Sequence, residues 1–91
     1  MISYVYFLKC ADDSIYTGWT NNLEKRLLTH NAGKGAKYTR ARLPVVLAYY
    51  EHHADRSLAQ KREYFLRNLK RSEKQKIITA FSLYKTTKEQ L

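Results

Sequence analysis

The sequence predicts an α/β domain of the α+β type: a small, mainly antiparallel three-stranded sheet flanked by helices, in the order β-β-α-β-α-α. Three observations carry this expectation. Residues 2–10, ISYVYFLKC, are β-branched and aromatic with no helical period. A second such run follows after a short ADDS turn, so the chain opens on a hairpin. No regular alternation of strand and helix runs through the chain, as a parallel sheet would require. At 91 residues the chain is one domain, expected over 1–84 with a frayed tail at 85–91.

The elements follow in order. After the first strand and the ADDS turn, SIYTGWT (14–20) is a second strand ending at Gly18. Asn21 is the expected cap of the first helix, with Glu24 three residues on completing a capping box. That helix runs to about His30, and NAGKG ends it by glycine chemistry. AKYTRARLP (36–44) is expected as a basic loop, and VVLAYYEHH (45–53) as the third strand. Asp55 caps a helix over residues 56–70, with Leu58, Phe65, Leu66 and Leu69 as its apolar stripe. Ser72, with Gln75 three on, caps the last helix, which buries Ile77, Ile78 and Phe81.

Seventeen Lys and Arg against eight Asp and Glu give a net charge of +9. So large an excess on a short chain implies an anionic partner, nucleic acid first and an acidic membrane second. A small basic ribosome-associated protein is the alternative. The single cysteine, Cys10, excludes a disulfide framework and any multi-cysteine zinc site. MISYVYFLKCADDS lacks the basic start of a secretory signal, and no apolar run approaches membrane-spanning length. A cytoplasmic protein without a membrane partner is expected.

Chemistry-bearing residues gather at predictable places. At 100° per residue, Asn22, Arg26 and His30 form one stripe of the first helix beside Leu23 and Leu27. That stripe suits either a solvated face or the edge of a cleft. On the second helix, Glu63 lies at the margin of the apolar arc beside Lys70, and Arg62 falls inside the arc. A lone carboxylate amid cations suits a divalent ion beside phosphates, and equally an i,i+4 partner for Arg67. Tyr6 and Tyr16 share a sheet face only if an odd number of residues joins their strands, three or five within 11–15. A two-residue Asp12-Asp13 turn would separate them. Gly18 suits a bulge or the approach of a phosphate to the backbone. GKGAKYTR (33–40) combines glycines with Lys34, Lys37 and Arg40 for phosphate contact and Tyr38 for stacking. His52 and His53 are adjacent in a strand, face opposite ways and make a poor metal pair.

Together, YVY (4–6), YTG (16–18), the NNLEKRLLTH helix (21–30) and the QKRE helix start (60–63) resemble the GIY-YIG nuclease superfamily. The resemblance runs from about residue 2 to 80 and is closest to the small stand-alone branch. That branch shares HNxGxGAKYTR with the catalytic domain of eukaryotic structure-specific junction nucleases. Two positions depart from the pattern: Tyr4 replaces the first glycine of the name motif, and Trp19 stands where some members carry a lysine.

The resemblance implies metal-dependent hydrolysis of DNA phosphodiesters, as an endonuclease or nickase on branched, damaged or single-stranded DNA in repair or recombination. It implies Mg²⁺ or Mn²⁺ on Glu63 and the scissile phosphate on Arg26. Tyr6 would activate water, with Tyr16 second or cooperating, and His30 would bond or shuttle a tyrosine proton. Gly18, Asn22, Lys34, Lys37, Tyr38, Arg40 and Lys70 are the expected nucleic-acid contacts. The partner is DNA, with RNA as the second polymer. The chain is expected as a monomer whose specificity a protein partner supplies, because larger members rely on a second domain. A non-catalytic nucleic-acid-binding module on the same fold is the alternative.

Overall fold

Strand β1 (Ser3–Lys9) is the middle of a three-stranded antiparallel sheet, with β2 (Ile15–Thr20) on one side and β3 (Val46–His53) on the other. A computed structural model describes residues 1–90 of the protein, with side chains through residue 88. The remaining elements are α1 (Leu23–Asn31), a single turn α2 (Lys37–Arg40), α3 (Arg56–Arg67) and α4 (Arg71–Gln90). The α+β architecture and its order are those the sequence predicts, with α2 added inside the expected basic loop.

The unbroken apolar run of β1 has a direct cause: the strand is buried on both faces. Val5 and Phe7 join Ala59 and Leu66 in a core beneath α3 and α4. Tyr6 and Leu8 join Cys10 and Val45 in a second core, against Leu23 and Leu27 of α1. Strand β3 bulges at Ala48, because Phe7 pairs with Tyr49 while Leu8 pairs with Leu47.

The hairpin connection contains five residues, 10–14, since Lys9 pairs with Ile15. The odd count holds Tyr6 and Tyr16 on one face: Tyr16 lies opposite Leu8, two residues from Tyr6. Asp13 adopts a left-handed conformation with φ 68°, and Ser14 donates its backbone N–H to Asp12 Oδ1. Strand β2 does not stop at Gly18. It continues to Thr20, and Gly18 pairs with Tyr6 inside the ladder.

Helix caps explain most boundary differences. The cap of α1 is Asn22, not Asn21: its side chain accepts from the Lys25 N–H at 3.1 Å. Glu24 therefore falls at the second helical position, out of place for a capping box. At the other end Gly33 (φ 76°) gives its N–H to His30 and Lys34 gives its own to Thr29, a Schellman ending. Asn31 then joins α1 to the start of β3. Its amide donates to the Val45 carbonyl at 2.9 Å and accepts the Val45 N–H at 2.8 Å.

Asp55 caps α3 as expected, accepting from Leu58 N–H. The helix ends at Arg67 rather than 70, because the Lys70 carbonyl already starts α4 by accepting from Glu73 and Lys74. Ser72 consequently lies within α4 and is not its cap. The buried stripe of α3 is also rotated from the expected one. Ala59 and Leu66 are buried, while Leu58 and Phe65 are exposed. Arg62 does face the sheet, where its Nε donates to Glu51 Oε2 at 2.9 Å. Residues 85–90, expected as a frayed tail, extend α4 as helix, and Leu91 lies outside the described residues.

Candidate active site

Three rings meet where β1, β2 and α1 converge. The ring centroids of Tyr6 and Tyr16 are 6.4 Å apart, Tyr6 and His30 6.1 Å, and Tyr16 and His30 5.3 Å. Tyr6 and His30 are buried; Tyr16 is half-buried. Gly18 makes this crowding possible. A β-carbon there would stand 2.6 Å from the Tyr6 hydroxyl and 3.0 Å from the Tyr16 ring. Close packing of two phenols therefore accounts for glycine at 18. Gly35 does the same for His30: a β-carbon there would overlap Nδ1 and lie 2.8 Å from Cγ.

The polar atoms form a directed chain. Thr39 Oγ1 donates to the Ala36 carbonyl at 3.0 Å, so its one proton is spent there. It can then only accept from His30 Nδ1, 2.8 Å away, which places the imidazole proton on Nδ1. Nε2 is left as an acceptor, and the Tyr6 hydroxyl at 3.0 Å donates to it. Burial pushes His30 down to about 4, and the Arg26 charge pushes the same way, so the ring is neutral at pH 7. Burial likewise pushes Tyr6 up to about 12. Neighbouring Arg26 pulls it down, while Tyr16 and the Glu63 carboxylate raise it. Arg26 on α1 and Glu63 on α3 thus both act electrostatically on the Tyr6 hydroxyl.

Glu63 is both candidate ligand and helix partner. Its side chain is 13% exposed and meets Arg67 Nε at 3.5 Å, a long i,i+4 contact. Among the described residues, no three His, Cys, Asp or Glu side chains cluster around a possible metal position. The donor set still fits Mg²⁺ or Mn²⁺, which are commonly bound by one carboxylate, waters and substrate phosphate oxygens. A largely buried carboxylate held by one long ion pair suits that role.

The other expected nucleic-acid contacts divide into two groups. Tyr38 stacks on Tyr16 at 6.1 Å with an interplanar angle of 27°, which brings α2 to the site. Lys34, Lys37, Arg40 and Lys70 are exposed. Asn22 uses its side-chain oxygen to cap α1, and Gly18 is buried between the tyrosines. His52 is exposed; His53 bonds Glu51 on the α3 side of the sheet.

Four residues of the site escape sequence reasoning. Thr39 orients His30. Gly35 makes room for it. Arg42 fixes Tyr38, its guanidinium 3.9 Å from the ring centroid, and is itself held by Asp12 at 2.9 Å. Lys74, buried within α4, donates to Thr17 Oγ1 at 3.2 Å. A signal exists for Lys74: it sits on the apolar stripe of Ile77, Ile78 and Phe81 at helical spacing, where a solvated lysine does not belong.

Comparisons with known proteins bear on the family of this chain. The family model described as GIY-YIG catalytic domain matches residues 2–77. The UPF0213 protein CPE1444 of Clostridium perfringens is 54% identical over 82 residues, 90% of this chain and 88% of that one. The UPF0213 protein SH2523 of Staphylococcus haemolyticus is 55% identical over 75 residues, 82% of this chain and 92% of that one. Among solved structures, the solution NMR structure of E. faecalis protein EF2693 has a TM-score of 0.61 at 41% identity, covering 91% of this chain and 88% of that one. That of the UPF0213 protein BH0048 from Bacillus halodurans has a TM-score of 0.57 at 39% identity, covering 88% and 85%. No helix among the described residues is long and apolar enough to cross a membrane. With the model spanning most of the chain and relatives this similar, the protein belongs to the GIY-YIG catalytic-domain family, a family of nuclease-type hydrolases.

Proposed function

We propose that the protein is a divalent-metal-dependent DNA endonuclease or nickase acting on branched, damaged or single-stranded DNA. The observation that carries this is the chain Tyr6–His30–Thr39–Ala36, which gives one phenol a proton acceptor of fixed tautomer. A module that only bound phosphates would have no use for a buried phenol–imidazole relay next to a carboxylate.

The proton inventory is simple. A water attacking phosphorus must lose a proton, and a phenol held near 12 is a poor base unless its own proton leaves at the same time. The Tyr6 oxygen accepts the proton of water as the Tyr6 hydroxyl proton passes to His30 Nε2. His30 becomes an imidazolium whose Nδ1–H stays on Thr39. Resting His30 resists this charge because of burial and Arg26. A phosphate bound to Arg26 neutralises that guanidinium and adds negative charge nearby, so substrate itself makes the transfer easier. Arg26 grips two phosphate oxygens with its planar fork. Glu63 would hold Mg²⁺ or Mn²⁺, which when bound supplies charge stabilisation to the phosphoryl oxygens and leaving group. Tyr16, without a histidine acceptor of its own, lines the substrate side and cooperates.

Lys34, Lys37, Arg40 and Lys70 add phosphate attraction that falls steeply with salt. The test is cleavage of nicked, flapped and junction DNA with Mg²⁺ or Mn²⁺ by wild type, Glu63→Ala and Arg26→Ala. Metal-dependent cleavage by wild type, lost in both variants, is the expected result. Wild-type binding without cleavage in either metal would leave the non-catalytic module as the correct assignment.

A further inference from the structure

The Tyr6 relay leaves one nearby feature unused. A cleft of about 260 Å³ opens beside it, lined by Ile15, Tyr16, Thr17, Tyr38, Arg67 and Lys74. Its two cations come from different helices, and one of them is unusually placed. Lys74 is only 8% exposed. An ammonium carries three N–H donors, and among the described residues its single hydrogen-bond partner is the neutral Thr17 hydroxyl. Its other neighbour is the face of Phe7, 5.8 Å from Nζ. Buried ammonium groups of this kind are costly unless an anion approaches them.

The local charges point the same way. Burial lowers the Lys74 pKa, the Glu63 carboxylate raises it and Arg67 lowers it again. Arg67 is 56% exposed at its side chain and leans on Glu63 through a long 3.5 Å contact. Two cations thus face one cleft, and the Glu63 carboxylate that acts on both is one that a divalent ion would also claim. The rest of the wall is apolar ring and aliphatic surface from Ile15, Tyr16 and Tyr38. Tyr38 is kept in place by the Arg42–Asp12 pair.

Resting on the nuclease assignment but going beyond it, we infer that this cleft is the subsite for the DNA nucleotide flanking the scissile phosphate. The flanking phosphate sits on Lys74 and Arg67, and its deoxyribose and base lie against Ile15, Tyr16 and Tyr38. Tyr16 is common to cleft and catalytic cluster, so a strand gripped at Arg26 can continue into the cleft by one nucleotide. Lys74, delivered from α4, also supplies a cation beside Thr17 of β2.

The experiment is an NMR and binding titration of wild type with a short single-stranded oligothymidylate in metal-free buffer, where no cleavage occurs. The side-chain resonances of Lys74 and the ring resonances of Tyr16 and Tyr38 should shift saturably. Lys74→Met, which keeps the aliphatic stem, should weaken binding about tenfold, as expected for one lost charged hydrogen bond. It should also reduce the salt slope by roughly 0.7, the loss of one phosphate contact to a single strand. Lys74→Arg should restore both, and Arg67→Gln, at an exposed position, should lower both without unfolding. An unchanged slope in a folded Lys74→Met overturns the inference. If that variant does not fold, still resonances of Lys74 and Tyr38 in wild type, or an unchanged slope in Arg67→Gln, overturn it equally. The two assignments fail separately: binding here without any metal-dependent cleavage removes the nuclease and leaves the cleft, while cleavage with the flanking contacts silent removes the cleft alone.

Discussion

The Tyr6 hydroxyl donates its proton to His30 Nε2 at 3.0 Å, because His30 Nδ1 is committed to Thr39 and Thr39 to the Ala36 carbonyl. One backbone carbonyl in the segment before α2 thereby sets the tautomer of a buried imidazole and the direction of a phenolic proton. Nitrogen NMR should find His30 neutral and protonated on Nδ1 at pH 7. Thr39→Val, which removes the acceptor without changing shape, should cost about 1–3 kcal/mol of stability through an unpaired buried N–H. It should also randomise the tautomer. A histidine protonated on Nε2 in wild type would reverse the direction of the chain.

Acid should loosen the fold in a definite window. His30 is held at about 4 against an ordinary 6.5, so between these values the unfolded chain binds the extra proton. Its contribution is complete above pH 6.5 and is lost as pH falls towards 4. Asp12 and Glu51 are also held low. Ser14 and Arg42 hold Asp12 down, and at Glu51 the hydrogen bonds from Tyr49, Arg62 and His53 outweigh burial. Their contributions disappear only at more acidic pH, so the interval from about 6.5 to about 5 isolates His30. Urea midpoints should fall across that interval in wild type and fall less in His30→Gln; parallel curves would remove the buried histidine as the cause.

Gly35→Ala should damage the site from a distance of one side chain. The added carbon would overlap His30 Nδ1 and sit 3.0 Å from its Cα, leaving no soft direction for relief. A loss of about 1–3 kcal/mol is expected from such overpacking, together with loss of the Nδ1 proton signal. A Gly35→Ala variant with wild-type stability would mean that His30 is not held as described.

Arg62 supports the opposite face of the sheet. It shares the Glu51 carboxylate with Tyr49 and His53. Arg62→Met should destabilise by about 1–3 kcal/mol, since a part-buried carboxylate loses its cation, while leaving oligonucleotide binding unchanged. Thermal denaturation and a binding isotherm on the same sample check both halves.

Much of this is legible in the chain, for reasons that differ residue by residue. Strand β1 and the shared face of Tyr6 and Tyr16 follow from period-two geometry once the connection has an odd length. The Arg26–His30 stripe follows from helical spacing. The α3 stripe departs from its pattern because Leu58 and Phe65 are apolar yet exposed, while small Ala59 is what fits against the sheet. Capping by Asn22 rather than Asn21 is a choice between identical neighbours that only the entry angle of the chain decides. Thr39 and Gly35 are hidden for a deeper reason: their roles are contacts across 9 and 5 residues, and no local pattern records them. The burial of Lys74 shows in its helical stripe, but its partner Thr17, 57 residues away, does not.

The most direct test of the site is the single-turnover rate of flapped-DNA cleavage at saturating Mn²⁺, compared between wild type and Tyr6→Phe. The substitution removes one oxygen and keeps the ring that fills the core. A fall of about 10²–10⁴-fold in the chemical step, with DNA affinity unchanged, is the predicted result. A Tyr6→Phe enzyme that cleaves within a few fold of wild type would contradict the Tyr6–His30 relay as the source of the activated water.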